Sequence, residues 1–244
     1  MRPYLILSLV LAATATACGG GRLDEAPPDA NVAEAADRTA EAGSARVALV
    51  GTIVGGPVDG ASFTGEGEFA GERGRMSMDL SELAVASAGA FEGKMDVVFD
   101  ARAVYVRMPG ELADQFLEGK PWVKVDVEDA EKDDFLAFSK GDPTRLLREL
   151  SAEADFAEIG VEEVRGADTT HFRGTLDADK VDVWVGDDGL LRRVRFEGPL
   201  PAGEGSTETM TMEFFDFGAE IDIDLPPADQ VAEFGGDSLQ GGSD

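Results

Sequence analysis

The sequence predicts an α+β protein built on one strongly curved antiparallel β-sheet, a half-barrel whose concave apolar face is covered by a few short helices. Three observations predict it. From Arg46 onward apolar and polar residues alternate with period two along most of the chain, as half-buried antiparallel strands require. Helical signals fall only at the ends and in the middle of this strand series. Gly65 and Gly67 occupy inward positions of one strand, where the missing side chain lets a sheet bend.

The elements follow in order. Asn31 to Ala42 carries Val32, Ala36 and Ala40 on one stripe and reads as an opening helix. Phe63 to Phe69 places Phe63, Gly65, Gly67 and Phe69 on one face and Thr64, Glu66 and Glu68 on the other. Met76, Met78 and Leu80 alternate with Arg75, Ser77 and Asp79; Met95, Val97 and Phe99 with Lys94, Asp96 and Val98; Val123, Val125 and Val127 with Lys124, Asp126 and Glu128. Between these strands Glu111 to Glu118 reads as a helix, and Glu128 to Lys140, presenting Phe135, Leu136 and Phe138, as another. Asp142-Pro143 supplies an N-cap and a proline suited to the first helical position, opening Thr144 to Leu150. Val181 to Val185 and Leu190 to Phe196 flank Gly-Asp-Asp-Gly as a hairpin. Met210, Met212 and Phe214 share one face of a further strand, and Ile221, Ile223 and Leu225 alternate with Asp222 and Asp224 as the last.

The 244 residues carry a net charge of −28. Such a surface repels nucleic acid and anionic lipid, so no nucleic-acid partner is expected. Solubility is the plain alternative reading of the acidity.

The single cysteine, Cys18, ends the stretch SLVLAATATACGGGR. Arg2 followed by the uncharged run Leu5 to Ala17 has the layout of an export leader, and is short against the ~20 apolar residues of a membrane span. The small residues leading into Cys18 resemble the lipobox of bacterial lipoproteins, with Ala15 where Leu or Val is usual. That resemblance implies a diacylglyceryl cysteine at Cys18, palmitate-type acyl chains, and cleavage that makes Cys18 the first residue. An ordinary secretory leader cut after Ala17, or a buried leftover thiol, are the alternatives. Two or three acyl chains hold a protein on a bilayer where one does so only marginally. The expected organisation is a leader over 1–17, a lipidated cysteine and flexible tether over 18–31, a domain over 32–234 and a frayed tail over 235–244, held at the outer face of the plasma membrane.

Three stretches then carry a family resemblance: Val161–Asp177 (VEEVRGADTTHFRGTLD), the hairpin Val181–Phe196 (VDVWVGDDGLLRRVRF) and Thr211–Val231 (TMEFFDFGAEIDIDLPPADQV). Together with Asp142–Leu150 (DPTRLLREL) they resemble the actinobacterial LppX/LprA/LprF/LprG lipoproteins and, more broadly, the LolA/LolB type of lipoprotein carrier. The resemblance implies a half-barrel enclosing a hydrophobic cavity, a lipid or glycolipid ligand, and carriage of that ligand across the cell envelope. The expected cavity lining is Phe63, Phe69, Met76, Met78, Met95, Val97, Phe99, Val183, Met210, Met212 and Phe214 from the sheet, with Phe135, Phe138, Leu146 and Leu147 as helical cover. Methionine suits an irregular apolar pocket. The same pattern also fits a packed core in which methionine fills gaps. The alternative function is a non-enzymatic envelope protein that supports a membrane transporter or sensor and carries no cargo.

Catalysis is not expected. One histidine and one cysteine leave no His/Cys zinc cluster, and nucleophile-elbow, phosphate-loop and dinucleotide motifs are absent from the sequence. Asp187, Asp188, Asp222 and Asp224 lack EF-hand spacing. Neither metal nor cofactor is expected. His171 alternates to the side of Arg173 and Thr175, opposite Phe172, and reads as a solvated strand residue.

Overall fold

The computed structural model describes residues 28–86, 93–126, 155–176, 179–200 and 205–233. Helix α1 spans Pro28–Glu41, opening ahead of the expected Asn31, and α2 (Ser81–Ala86) and α3 (Gly110–Phe116) are short. The strands are β1 (Ser44–Val54), β2 (Ser62–Ala70), β3 (Arg73–Asp79), β4 (Lys94–Phe99), β5 (Ala103–Arg107), β6 (Trp122–Asp126), β7 (Ala157–Val164), β8 (Ala167–Leu176), β9 (Asp179–Gly186), β10 (Leu191–Pro199), β11 (Thr207–Phe215) and β12 (Val231–Glu233). They form one open sheet in the order β12-β6-β5-β4-β3-β2-β1-β11-β10-β9-β8-β7. Every neighbouring pair is antiparallel except β12 with β6.

The strand registers turn the sequence alternation into two surfaces. Val47, Leu49 and Gly51 of β1 face Phe214, Met212 and Met210 of β11 on one side and Gly67, Gly65 and Phe63 of β2 on the other. Those residues continue into Met76 and Met78, then Val97 and Met95. In the other direction Met212 continues through Val194 and Val183 to Phe172. Because paired residues point the same way from a pleated sheet, a single apolar inner face runs from β6 to β8. On the outer face Arg165, at the tip of the β7–β8 hairpin, donates to Glu213 of β11 at 2.7 Å and lies 4.1 Å from the Phe215 ring centre. Both Arg165 and Gly166 have positive φ, the conformation a two-residue hairpin loop needs.

Helix α1 closes part of the inner face. Its Val32, Ala35, Ala36 and Thr39 are buried, and Val32, Ala35 and Ala36 pack with Phe69, Phe172, Val183, Met212 and Phe214 in the largest apolar cluster. Leu191 N–H donates to the Thr39 hydroxyl at 2.9 Å, fixing α1 to β10.

Two differences from the sequence expectation have physical causes. Residues Ile221 to Leu225 form no strand; Ile223 is buried and its carbonyl accepts from Arg73 at 3.3 Å, so the alternation marks a segment laid against the sheet rather than paired in it. Pro226 and Pro227, which lack N–H donors, follow directly. The short helix α2 went unread because six residues show too little periodicity; Asp79 Oδ1 accepts from Ser81 N–H at 3.0 Å at its start. The expected helices over 128–140 and 144–150 lie outside the described residues.

Candidate functional site

The inner face divides by depth. Beneath α1, Phe69, Val183, Met212 and Phe214 are buried core, with the Phe69 and Phe214 rings edge to face at 6.5 Å. Towards β3 to β6 the face is less closed. Val97 and Phe99 are buried with Val104, while Met78, Met95, Val106 and Val125 above them are only half-buried. Phe63, Met76 and Met210 are half-buried against the first cluster, beside Phe196. The eleven sheet residues expected to line a cavity therefore share one face, six as buried core and five half-buried. Cys18, Phe135, Phe138, Leu146 and Leu147 lie outside the described residues.

Two phenylalanines shape this surface by lying flat on the sheet. A Cβ on Gly51 would sit 2.0 Å from Cζ of Phe63, and one on Gly74 would sit 1.9 Å from Cζ of Phe99. Each ring covers the glycine opposite it on the neighbouring strand, the arrangement by which an aromatic shields exposed backbone in a curved sheet. The rings consequently occupy the floor of the inner face rather than projecting into the space above it. Gly65 and Gly67 add to that space: they face Met78 and Met76, and a Cβ on either would press on the methionine side chain at 3.1 Å or 3.3 Å.

A half-buried carboxylate interrupts the apolar face. Glu208 shares the Met210 side of β11, and with Asp179, Phe196, Gly198, Pro199 and Met210 it lines a cleft of about 120 Å³ at the end of the sheet. Burial pushes its carboxyl above the usual carboxylate range. The alternation Glu208, Met210, Met212 made this position legible in the sequence, although it was not singled out.

The outer face is polar and cross-linked. A broad open depression of about 790 Å³ there includes Arg46, Glu68, Arg75, Asp96, Trp122 and Phe215, and much of its charge is paired: Arg46 and Arg75 with Glu68, and Asp96 with Arg107. His171 also lies on this face, and here the expectation of a solvated residue is wrong. It is 3% exposed, stacked on Trp184 with ring centres 4.2 Å apart. Glu162 Oε1 lies 2.9 Å from its Nδ1 and Asp182 Oδ1 lies 2.7 Å from its Nε2. Trp184 Nε1–H donates to the other Glu162 oxygen at 2.9 Å, and Arg173 donates to Asp182 at 2.7 Å. Alternation gave the correct face; it could not show that partners from β7 and β9 enclose the ring. The indole and imidazole donors hold the Glu162 carboxyl below its ordinary range, the indole contributing most. With both ring nitrogens engaged, His171 braces β7, β8 and β9 rather than serving as a free base.

An open, curved antiparallel sheet with a greasy inner face and an ion-paired outer one defines the class of this protein. Comparisons narrow it. The crystal structure of the Mycobacterium tuberculosis lipoprotein LppX matches with a TM-score of 0.52 at 14% identity, over 80% of this chain and 97% of that one. The fold is that of LppX, as the resemblance in the sequence implied. Over 145 residues, 54% of its length, the chain is 32% identical to SCO4650 of Streptomyces coelicolor, which bears a provisional lipoprotein designation, and it covers 48% of that protein. It is 25% identical over 164 residues to an uncharacterised 31.2 kDa protein of Streptomyces griseus, covering 52% of it. The chain thus spans about half the length of the curated relatives it matches. No family model matches.

Proposed function

We propose that this chain is an exported lipoprotein, anchored through acylated Cys18 at the outer face of the plasma membrane, that binds a lipid or glycolipid on the inner face of its sheet and carries it across the envelope without catalysing a reaction. The observation that carries the reading is the half-buried row Phe63, Met76, Met78, Met95 and Met210, apolar surface continuous with the core but not closed by α1. Acyl chains gain by burial against such surface at about 0.8 kcal/mol per methylene; methionine adapts to chains of varied shape. Among the described residues no helix is long and apolar enough to cross a membrane, so in this reading the acyl anchor holds the domain there.

The test is uptake of a fluorescent long-chain acyl probe by the chain from Gly19 onward and by its Met78→Asp variant. A carboxylate in the middle of the row should abolish uptake while circular dichroism keeps the sheet signal. Undiminished uptake by a folded M78D protein would remove the inner face from the proposal. Absence of uptake by the unsubstituted chain would favour the envelope interaction protein.

A further inference from the structure

Six large apolar side chains stand exposed among the described residues: Val50, Val54, Val85, Phe116, Ile159 and Val161. Three of them share one rim. Val54 ends β1, Val85 lies in α2 between β3 and β4, and Phe116 ends α3 between β5 and β6; in an antiparallel meander these connections all emerge at the same end of the sheet. Their exposures are 63%, 80% and 68%.

None of the three has an interior to withdraw into. Ile53, next to Val54, takes the buried position of that alternation. Helix α2 is held at Asp79 and docked on β2 through Glu82, which accepts from Ser62 N–H at 2.9 Å and from its hydroxyl at 2.7 Å. Helix α3 buries Ala113, and Leu117 after it, against Val123, leaving Phe116 outside. A cleft of the inner face lies at this same rim. Thr207, which starts β11, pairs with Val54, and the adjoining cleft is lined by Phe196, Pro199, Met210 and Glu208.

We propose that this rim is a membrane-contact surface: Val54, Val85 and Phe116 insert into the interface of a zwitterionic bilayer and hold this end of the inner face against it. The inference rests on the reading of the inner face as a lipid site and adds to the acyl anchor a contact made by the folded domain. Net charge decides how the contact works. A chain of −28 gains nothing by attraction to anionic headgroups, so adhesion comes from apolar insertion. It weakens as anionic lipid is added and changes little with salt on zwitterionic vesicles.

The chain from Gly19 onward contains every described element and no cysteine, so single probes can be placed. Nitrobenzoxadiazole dye on V54C, V85C and F116C should brighten and shift to the blue when phosphatidylcholine vesicles are added. The same dye on R102C, in the turn between β4 and β5 at the opposite end, should not respond. V85D/F116D should co-float with those vesicles at least about tenfold less, since burying one such side chain is worth a factor of ten or more. Silent rim probes, an equal response at R102C, or unchanged flotation of V85D/F116D would overturn the proposal. Uptake of an acyl probe supplied as soluble monomer separates the two readings. Uptake with silent rim probes removes the rim and leaves the inner-face site; a rim response without uptake removes the inner-face site and leaves the rim.

Discussion

Replacing Gly74 by alanine should destabilise the protein by about 1–3 kcal/mol, the usual cost of forcing an extra methyl into a filled site. The structure supplies the reason. The new Cβ would lie 1.9 Å from Cζ of Phe99, where ordinary contact begins at 3.4 Å, so the ring tip must retreat by about 1.5 Å. Phe99 is 9% exposed and packs with Val97 and Val104 below half-buried Met78 and Met95, so retreat means lifting off the sheet into the inner space. For a domain of this size the penalty corresponds to a fall in Tm of about 2–4 °C per kcal/mol. Urea unfolding of four proteins gives the decisive number: unsubstituted, G74A, F99A and G74A/F99A. F99A alone should cost about 3–5 kcal/mol. With the ring gone, Gly74→Ala should be neutral or favourable, since alanine restricts the unfolded chain more than glycine does, leaving a coupling of about 1 kcal/mol or more between the sites. Equal effects of G74A with and without Phe99, or a G74A protein as stable as the parent, would refute the account of rings lying on glycines.

The other predictions concern the cover, the carboxylates and the floor of the inner face. T39V is nearly isosteric but strands the buried Leu191 N–H, and should lower stability by about 1–3 kcal/mol, whereas T39S should restore most of it; calorimetry of both checks this. Glu162 is held below its ordinary range by Trp184 and His171, so its stabilisation is present above the unfolded carboxylate pKa and is lost as pH falls through the lowered value. E162Q should therefore be less stable than the parent near neutral pH, with the gap in urea midpoints closing in acid. Glu208 has the opposite sign: burial raises its pKa, so the folded state favours the protonated acid and loses stability as pH rises through the raised value. E208Q should be the more stable protein near neutral pH, and the two should converge below the carboxylate range. Gly51→Ala should drive half-buried Phe63 off the sheet floor and reduce acyl-probe uptake more than it reduces Tm.

Much of this arrangement was legible because period two is a local signal. Phe63 to Phe69, Met76 to Leu80 and Met95 to Phe99 carry their inward and outward sets in the sequence, and the registers join those sets without a slip. What was not legible depends on partners distant in the chain. The stripe on α1 showed an apolar face but not that it lands over Phe172, Val183 and Met212, which is what turns several expected lining residues into core. His171 has the spacing of an exposed strand residue, and only the pairing of β8 with β7 on one side and β9 on the other brings Glu162 and Asp182 to its two nitrogens. Ile221 to Leu225 shows the converse failure, since alternation there records one buried isoleucine against the sheet rather than a ladder.

Native mass spectrometry of the chain from Gly19 onward, produced in an actinobacterial host and followed by organic extraction, tests the central claim most directly. The account predicts a near-stoichiometric adduct of lipid mass that leaves on denaturation and is absent from the M78D protein. A clean apo mass, with no adduct after incubation with phospholipid or glycolipid, would contradict it and return the methionine row to ordinary packing.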